Sequence, residues 1–235
     1  MTRTTQELFE IAMKKINYGE SGMTPIKNQK SIGFFPAGSG FWEGKETLLN
    51  DKTVLILGQD FNNEVEFEKY EKDKEKSEDP DKNKTWRNLK TLLSELEIKL
   101  DDCFFSNVYM GLRKGNLSNK GACPGVQNEA YRVSCEEFLK NQINAVEPSL
   151  IILLGFEPLK AIRKVFPKEL AEWNNVKTTS EIVLSNDKQV IVANINNKNV
   201  KVAFVIHPSM NATNRSRIFG KGKGSKEIEK LKDLL

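Results

Sequence analysis

The chain has 235 residues, 38% of them hydrophobic and 29% charged, with a formal net charge of +4. That length and balance suit one globular domain with a full core, and no apolar run approaches the ~20 residues a membrane-crossing helix needs. Three cysteines (Cys103, Cys123, Cys135) at unmatched spacings form no CxxC or Cys/His pattern, so neither a disulfide framework nor a metal site is signalled.

Residues 1–16 (MTRTTQELFEIAMKKI) read as an amphipathic helix with Leu8, Ile11, Ala12 and Ile16 on one face. They lack the apolar core of a signal peptide, so a cytoplasmic protein is expected. The Gly/Pro-rich stretch 19–44 reads as an irregular loop, its Phe34, Phe35, Phe41 and Trp42 serving either as a cover for the core or as a stacking platform for bases. Residues 53–57 (TVLIL) have the β-branched, unbroken apolar character of a strand buried on both faces, and Gly58-Gln59-Asp60 follows directly. The mixed-charge stretch 64–84 is expected to be a solvated lid loop.

Thr85 is placed as the N-cap of a helix over 86–96, where Trp86, Leu89, Leu92, Leu93 and Leu96 recur at helical spacing. A second strand, 103–106, ends at Asn107, and 111–126 is a Gly-rich loop carrying Arg113, Lys114 and Lys120. A long helix over 128–146 leads to a third strand, 150–154, ending at Gly155, and a helix over 157–165 follows with Pro158 in its first turn. Residues 181–192 alternate weakly, as a peripheral hairpin or extension with its turn at 194–199. The fourth strand, 201–206, ends at His207-Pro208-Ser209, after which Arg215, Arg217, Lys221, Lys223 and Lys226 crowd together, and 225–235 closes the chain as a short helix. Strand alternating with helix in this way predicts one α/β domain over 1–235: three layers, α/β/α, around a mainly parallel four-stranded sheet.

Asp60, Asn107 and His207 each stand just past the carboxyl end of a predicted core strand, the edge where open α/β sheets bind ligands. His207 is the only histidine, and it lies in a turn rather than on an apolar helix face. Each has a bland alternative: Asp60 capping the next turn, Asn107 serving as a turn former, His207 bonding a nearby carbonyl. Three such residues converging on one edge point instead to a site.

The same residues resemble the uracil-DNA glycosylase superfamily. GQD at 58–60 is similar to its opening GQDPY motif, HPS at 207–209 to its HPSPLS motif, RSRIFG at 215–220 to the RGFFG that follows, and TWRNL at 85–89 to its SLRNI-type segment. SNVY at 106–109, Cys135 to Leu139 and Pro148 to Gly155 resemble the thermophile-type branch, and the ordered set runs from about 53 to 220. The resemblance implies a monofunctional DNA N-glycosylase that flips a pyrimidine nucleotide out of DNA and hydrolyses the base–sugar bond. It implies that Asp60 orients water and stabilises the sugar cation, His207 donates to the pyrimidine O2, and Asn107 reads the Watson–Crick edge. Gln59, Phe61, Asn62 and Trp86 would line or stack on the base. Thr85, Ser209, Met210, Asn211, Arg215 and Arg217 would meet DNA, with Met210 the wedge into the stack.

Two departures matter. Asn62 stands where the family has Tyr, which leaves room for a group at C5 of the pyrimidine. Gly111 stands where the iron–sulfur branch has a cysteine, so no cluster and no other cofactor is expected. The expected substrates are uracil or a 5-modified pyrimidine, in base-excision repair or, for bulky modified cytosine, in defence against phage. A non-catalytic DNA-binding module on the same fold and a nucleoside hydrolase are the alternatives. DNA is the expected partner and the protein is expected to be a monomer away from membranes.

Overall fold

In the computed structural model, residues 4–26, 48–75, 84–118, 120–185, 187–220 and 226–235 are described. The aromatic-rich stretch 27–47, and Lys221 and Lys223 of the basic segment, lie outside them. The first helix, Thr5–Lys15 (α1), is held by a capping box: Thr4 Oγ1 accepts the Glu7 N–H at 3.2 Å and Glu7 accepts the Thr4 N–H at 3.2 Å. Leu8, Ala12 and Ile16 are buried, as their spacing predicts. A two-residue strand, Met23–Thr24 (β1), follows, and then Val54–Gly58 (β2), every residue of which is buried. Leu55, Ile56 and Leu57 are fully enclosed, and each side chain contributes roughly 1.5–3 kcal/mol of burial energy.

Residues 64–75, expected as loop, form a helix, Glu64–Glu75 (α2). Asn63 starts it by accepting the Glu66 N–H on its side-chain oxygen at 2.8 Å. Glu64 and Glu66 suit the positive end of the helix dipole, and Phe67 anchors the helix in the core. Next come Lys84–Glu95 (α3), Cys103–Asn107 (β3) and Leu112–Arg113 (β4), which pairs antiparallel with β1. Thr85 therefore lies in the first turn of α3 rather than at its cap.

Glu129–Val146 (α4) is capped by Asn128 and leads to Leu150–Leu154 (β5) and Phe156–Val165 (α5). Residues 179–183 form a short helix, Thr179–Val183 (α6), and not hairpin. The hairpin itself is Val190–Ile195 (β6) against Lys198–Val205 (β7), turning at Asn196 and Asn197. Both turn residues have positive φ, as a tight two-residue β-turn requires. Asn211–Phe219 (α7) and Lys226–Leu234 (α8) complete the chain.

The main sheet has five strands rather than four, in the order β3-β2-β5-β7-β6. The first four are parallel and β6 is an antiparallel edge. On β6 only alternate residues (Ile191, Ala193, Ile195) are buried, while Val192 is exposed, which explains its weak sequence signal. One face of the sheet (Leu55, Leu57, Phe104, Ile151, Leu153) packs on α1, α4, α5 and α6. The other (Val54, Ile56, Phe105, Ile152, Val205) packs on α3 and α8. No helix among the described residues is long and apolar enough to cross a membrane.

The chain runs from β2 to β3 on one side, then crosses to β5 on the other side of β2. That reversal sets a topological switch point at the carboxyl ends of β2 and β5, the position at which sheets of this topology bind ligands.

Candidate functional site

Asp60 follows β2, Asn107 ends β3, Gly155 ends β5 and His207 follows β7, so all four stand on one edge of the parallel sheet. Asp60 and His207 come from strands two steps apart, roughly 10 Å by ordinary strand spacing, and the switch point between β2 and β5 falls between them. The pairing of β2 with β3 continues past their ends: Val108 N–H donates to Gly58 O at 3.0 Å and Tyr109 N–H to Gln59 O at 2.9 Å.

His207 is the more specialised of the two. Its Nδ1 accepts the backbone N–H of Ser209 at 3.2 Å and lies 2.8 Å from the Ser209 hydroxyl. Because Nδ1 is an acceptor, the proton of the neutral ring belongs on Nε2. Burial pushes the imidazole pKa down to about 4, so the ring is neutral at physiological pH. Gly155 makes room for it: a Cβ there would meet the His207 Cβ at 3.3 Å, and its φ of +92° is one that side chains disfavour. Asn88 of α3 fixes the turn from the other side, donating to Pro208 O at 2.7 Å.

Asp60 is held by Arg113, which the sequence places in a Gly-rich loop. The Arg113 Nε and Nη2 donate to Asp60 Oδ2 at 3.1 and 2.8 Å. Gln59 Nε2 reaches the same oxygen at 3.3 Å, and Oδ1 accepts the Asn62 N–H at 3.1 Å. Arg113 gives its remaining protons to the carbonyls of Ser118, Lys120 and Gly121, so all five of its N–H groups are used. The side chains of the pair are 2% and 7% exposed. Burial pushes the Asp60 carboxyl up from the ordinary aspartate range, while the guanidinium, the Asn62 N–H and the Gln59 amide pull it back. Asp60 thus caps its own turn, as the bland alternative held, and is also half of a buried ion pair.

Asn107 is buried at 1% exposure, and its backbone carbonyl accepts from Gln142 Nε2 at 3.2 Å. Gln142 also accepts from the Ser106 hydroxyl, so a polar residue on the apolar face of α4 fixes the end of β3. A glutamine amid Phe138, Leu139 and Ile143 is the signal that could have identified it.

The other named residues divide. Trp86 is a core residue: 2% exposed, with its ring 5.5 Å from that of Phe105, it has no open face for a base. Phe61 is fully buried in the larger core and is likewise packing. Asn62 serves the backbone, with φ +74° and its side-chain oxygen accepting the Asn63 N–H at 2.8 Å. Gln59 binds Asp60 and Gly121 O. Ser209 orients His207. Arg215 is not free for DNA, since its Nε donates to the fully buried Glu227 at 2.6 Å. The other Glu227 oxygen accepts the Ile206 N–H at 2.7 Å, one residue before His207. Burial pushes the Glu227 carboxyl up and Arg215 opposes the shift. Met210, Arg217 and Lys226 are exposed, Thr85 is half-buried in the first turn of α3, and Asn211 opens α7 with its side chain outside the described part.

All three cysteines are buried free thiols. Among the described residues no three His, Cys, Asp or Glu side chains are grouped to hold a metal. A Cβ on Gly111 would meet the Tyr18 ring at 2.9 Å. Compared with models of known protein families and with curated proteins, the chain matches none.

Proposed function

We propose that the protein is a DNA glycosylase of the uracil-DNA glycosylase-like fold, which extrudes a pyrimidine nucleotide and hydrolyses its base–sugar bond. The observation that carries this reading is His207: a neutral ring with its Nε2 proton free of the Ser209 contact, on the same sheet edge as the Asp60 carboxylate and two strands from it. Breaking the bond between C1′ and N1 leaves electron density on the base, chiefly at O2. A fixed neutral donor stabilises that anion without handing over its proton. Water then adds to the sugar cation, one of its protons goes to the departing base, and an abasic site remains.

Asp60 orients that water through Oδ1, because Oδ2 is committed to Arg113. The adjacent guanidinium offsets much of its field, so Asp60 contributes by positioning more than by charge. Asn107, enclosed at 1% exposure at the end of β3, meets the base only once the entering nucleotide displaces the residues over it, and its amide then suits uracil or, flipped, cytosine. The absence of Tyr at Asn62 favours a pyrimidine with a group at C5. Met210, exposed one turn beyond His207, is the wedge into the base stack.

The test is incubation with single- and double-stranded DNA containing uracil, 5-hydroxymethyluracil or glucosylated hydroxymethylcytosine, scored for alkali-labile sites. Release from at least one is expected, with loss of at least 100-fold in His207→Ala. Release from none, or equal release by the variant, rejects the proposal. The saturated Asp60–Arg113 pair favours a second reading, a DNA-binding module that cuts nothing, which predicts binding without release in that assay.

A further inference from the structure

The described residues of the loop after β4, 114–118 and 120–121, lie beside Asp60, and their backbone is fastened inward. Arg113 takes the carbonyls of Ser118, Lys120 and Gly121, and Asn63 Nδ2 donates to Leu117 O at 3.0 Å. Glu64 accepts the Gly115 N–H at 2.7 Å. With its carbonyls turned in, the loop presents Lys114, Leu117 and Lys120 to solvent, and Leu117 is 45% exposed. The carboxylate of Glu64, which engages the loop backbone, is held by the Gly115 N–H and the Thr24 hydroxyl.

Lys114 and Lys120 therefore form a positive rim around an apolar tip, on a loop whose shape is set by buried polar groups. We infer that this loop is a second DNA contact, at the β2 end of the sheet edge, away from Met210 beyond β7. Lys114 and Lys120 meet backbone phosphates, and Leu117 packs against the sugar and base edge beside the extruded nucleotide. Charge complementarity selects nucleic acid as the occupant. The hydrogen bonds to Gly115, Leu117, Ser118, Lys120 and Gly121 already hold these residues, so contact orders little more of them, which favours binding. The inference rests on the proposed DNA substrate, but it concerns binding and not bond cleavage.

The experiment measures binding of a fluorescent 20-base-pair duplex carrying one uracil mismatch, by anisotropy at several salt concentrations. Wild type is compared with Lys114→Gln/Lys120→Gln and with Leu117→Ser, all three side chains being exposed enough that folding is preserved, as checked by thermal melting. The double variant is expected to lower the slope of log K against log salt by about 2, one phosphate accounting for about 0.9. Leu117→Ser is expected to weaken binding several-fold with the slope unchanged. A wild-type slope retained in the double variant overturns the inference, as does a wild type that ignores DNA or a loop that responds only to a protein partner. Excision lost in His207→Ala alongside an unchanged slope in the lysine variant would leave the glycosylase reading standing and the loop inference rejected. DNA binding through the loop without any base release would do the reverse.

Discussion

Asp60 and Arg113 show how a residue chosen for chemistry can first be a residue of the fold. Removing the partner of the guanidinium strands a cation at 2% exposure. Asp60→Asn is therefore expected to cost about 3 kcal/mol of stability, measured as a lower urea midpoint. Adding Arg113→Met, which removes the stranded charge, should recover roughly half of that loss. A stable single variant would show that the pair is not ionic. Turnover lost in Asp60→Asn cannot then be read as chemistry until the double variant has been assayed. Arg113 was visible in the sequence only as one basic residue of a Gly-rich loop, because nothing local marks a buried arginine whose acceptors are 53 and 5 to 8 positions away.

At the scale of elements, the four parallel strands were legible because each is a short apolar run buried on both faces, and the long helices because their apolar residues recur at helical spacing. The fifth strand and α2 were harder. On β6 half the residues face out, and among the described side chains of α2 Phe67 is the large apolar anchor, in a stretch of mixed charge. The edge that collects Asp60, Asn107 and His207 was also legible, since residue order along parallel strands fixes which ends align. The partners that fix them (Arg113, Gln142, Asn88, Glu227) were not, being tertiary contacts.

Glu227 ties α8 to the strand that carries His207, through the Ile206 N–H and Arg215. Glu227→Ala is expected to accelerate hydrogen exchange at the Ile206 amide by tenfold or more, with smaller changes in β2 and β3. Unchanged protection at Ile206 would mean that α8 packs on the sheet without helping to hold β7 in place.

For the molecule as a whole, pH is where these buried groups become measurable together. His207 titrates near 4 in the folded chain and near 6.5 when unfolded, so between those values the unfolded chain binds the extra proton. Its contribution is fully present above about 6.5 and is lost as pH falls toward 4, amounting to about 3 kcal/mol at the limit. Glu227 acts with the opposite sign, because burial raises its carboxyl and its protonated form favours the folded state as pH falls. The net profile therefore mixes the two signs, and a difference measurement separates them. Urea stability of wild type minus that of His207→Gln should fall steadily from pH 7 to pH 4.5, since the carboxylates cancel in the subtraction. The single histidine also gives one imidazole signal in proton NMR, expected to stay in its neutral position down to about pH 5. A flat stability difference together with an imidazole titrating near 6.5 would mean that His207 is solvated and charged on demand. It would then lack the fixed neutral donor on which base release depends.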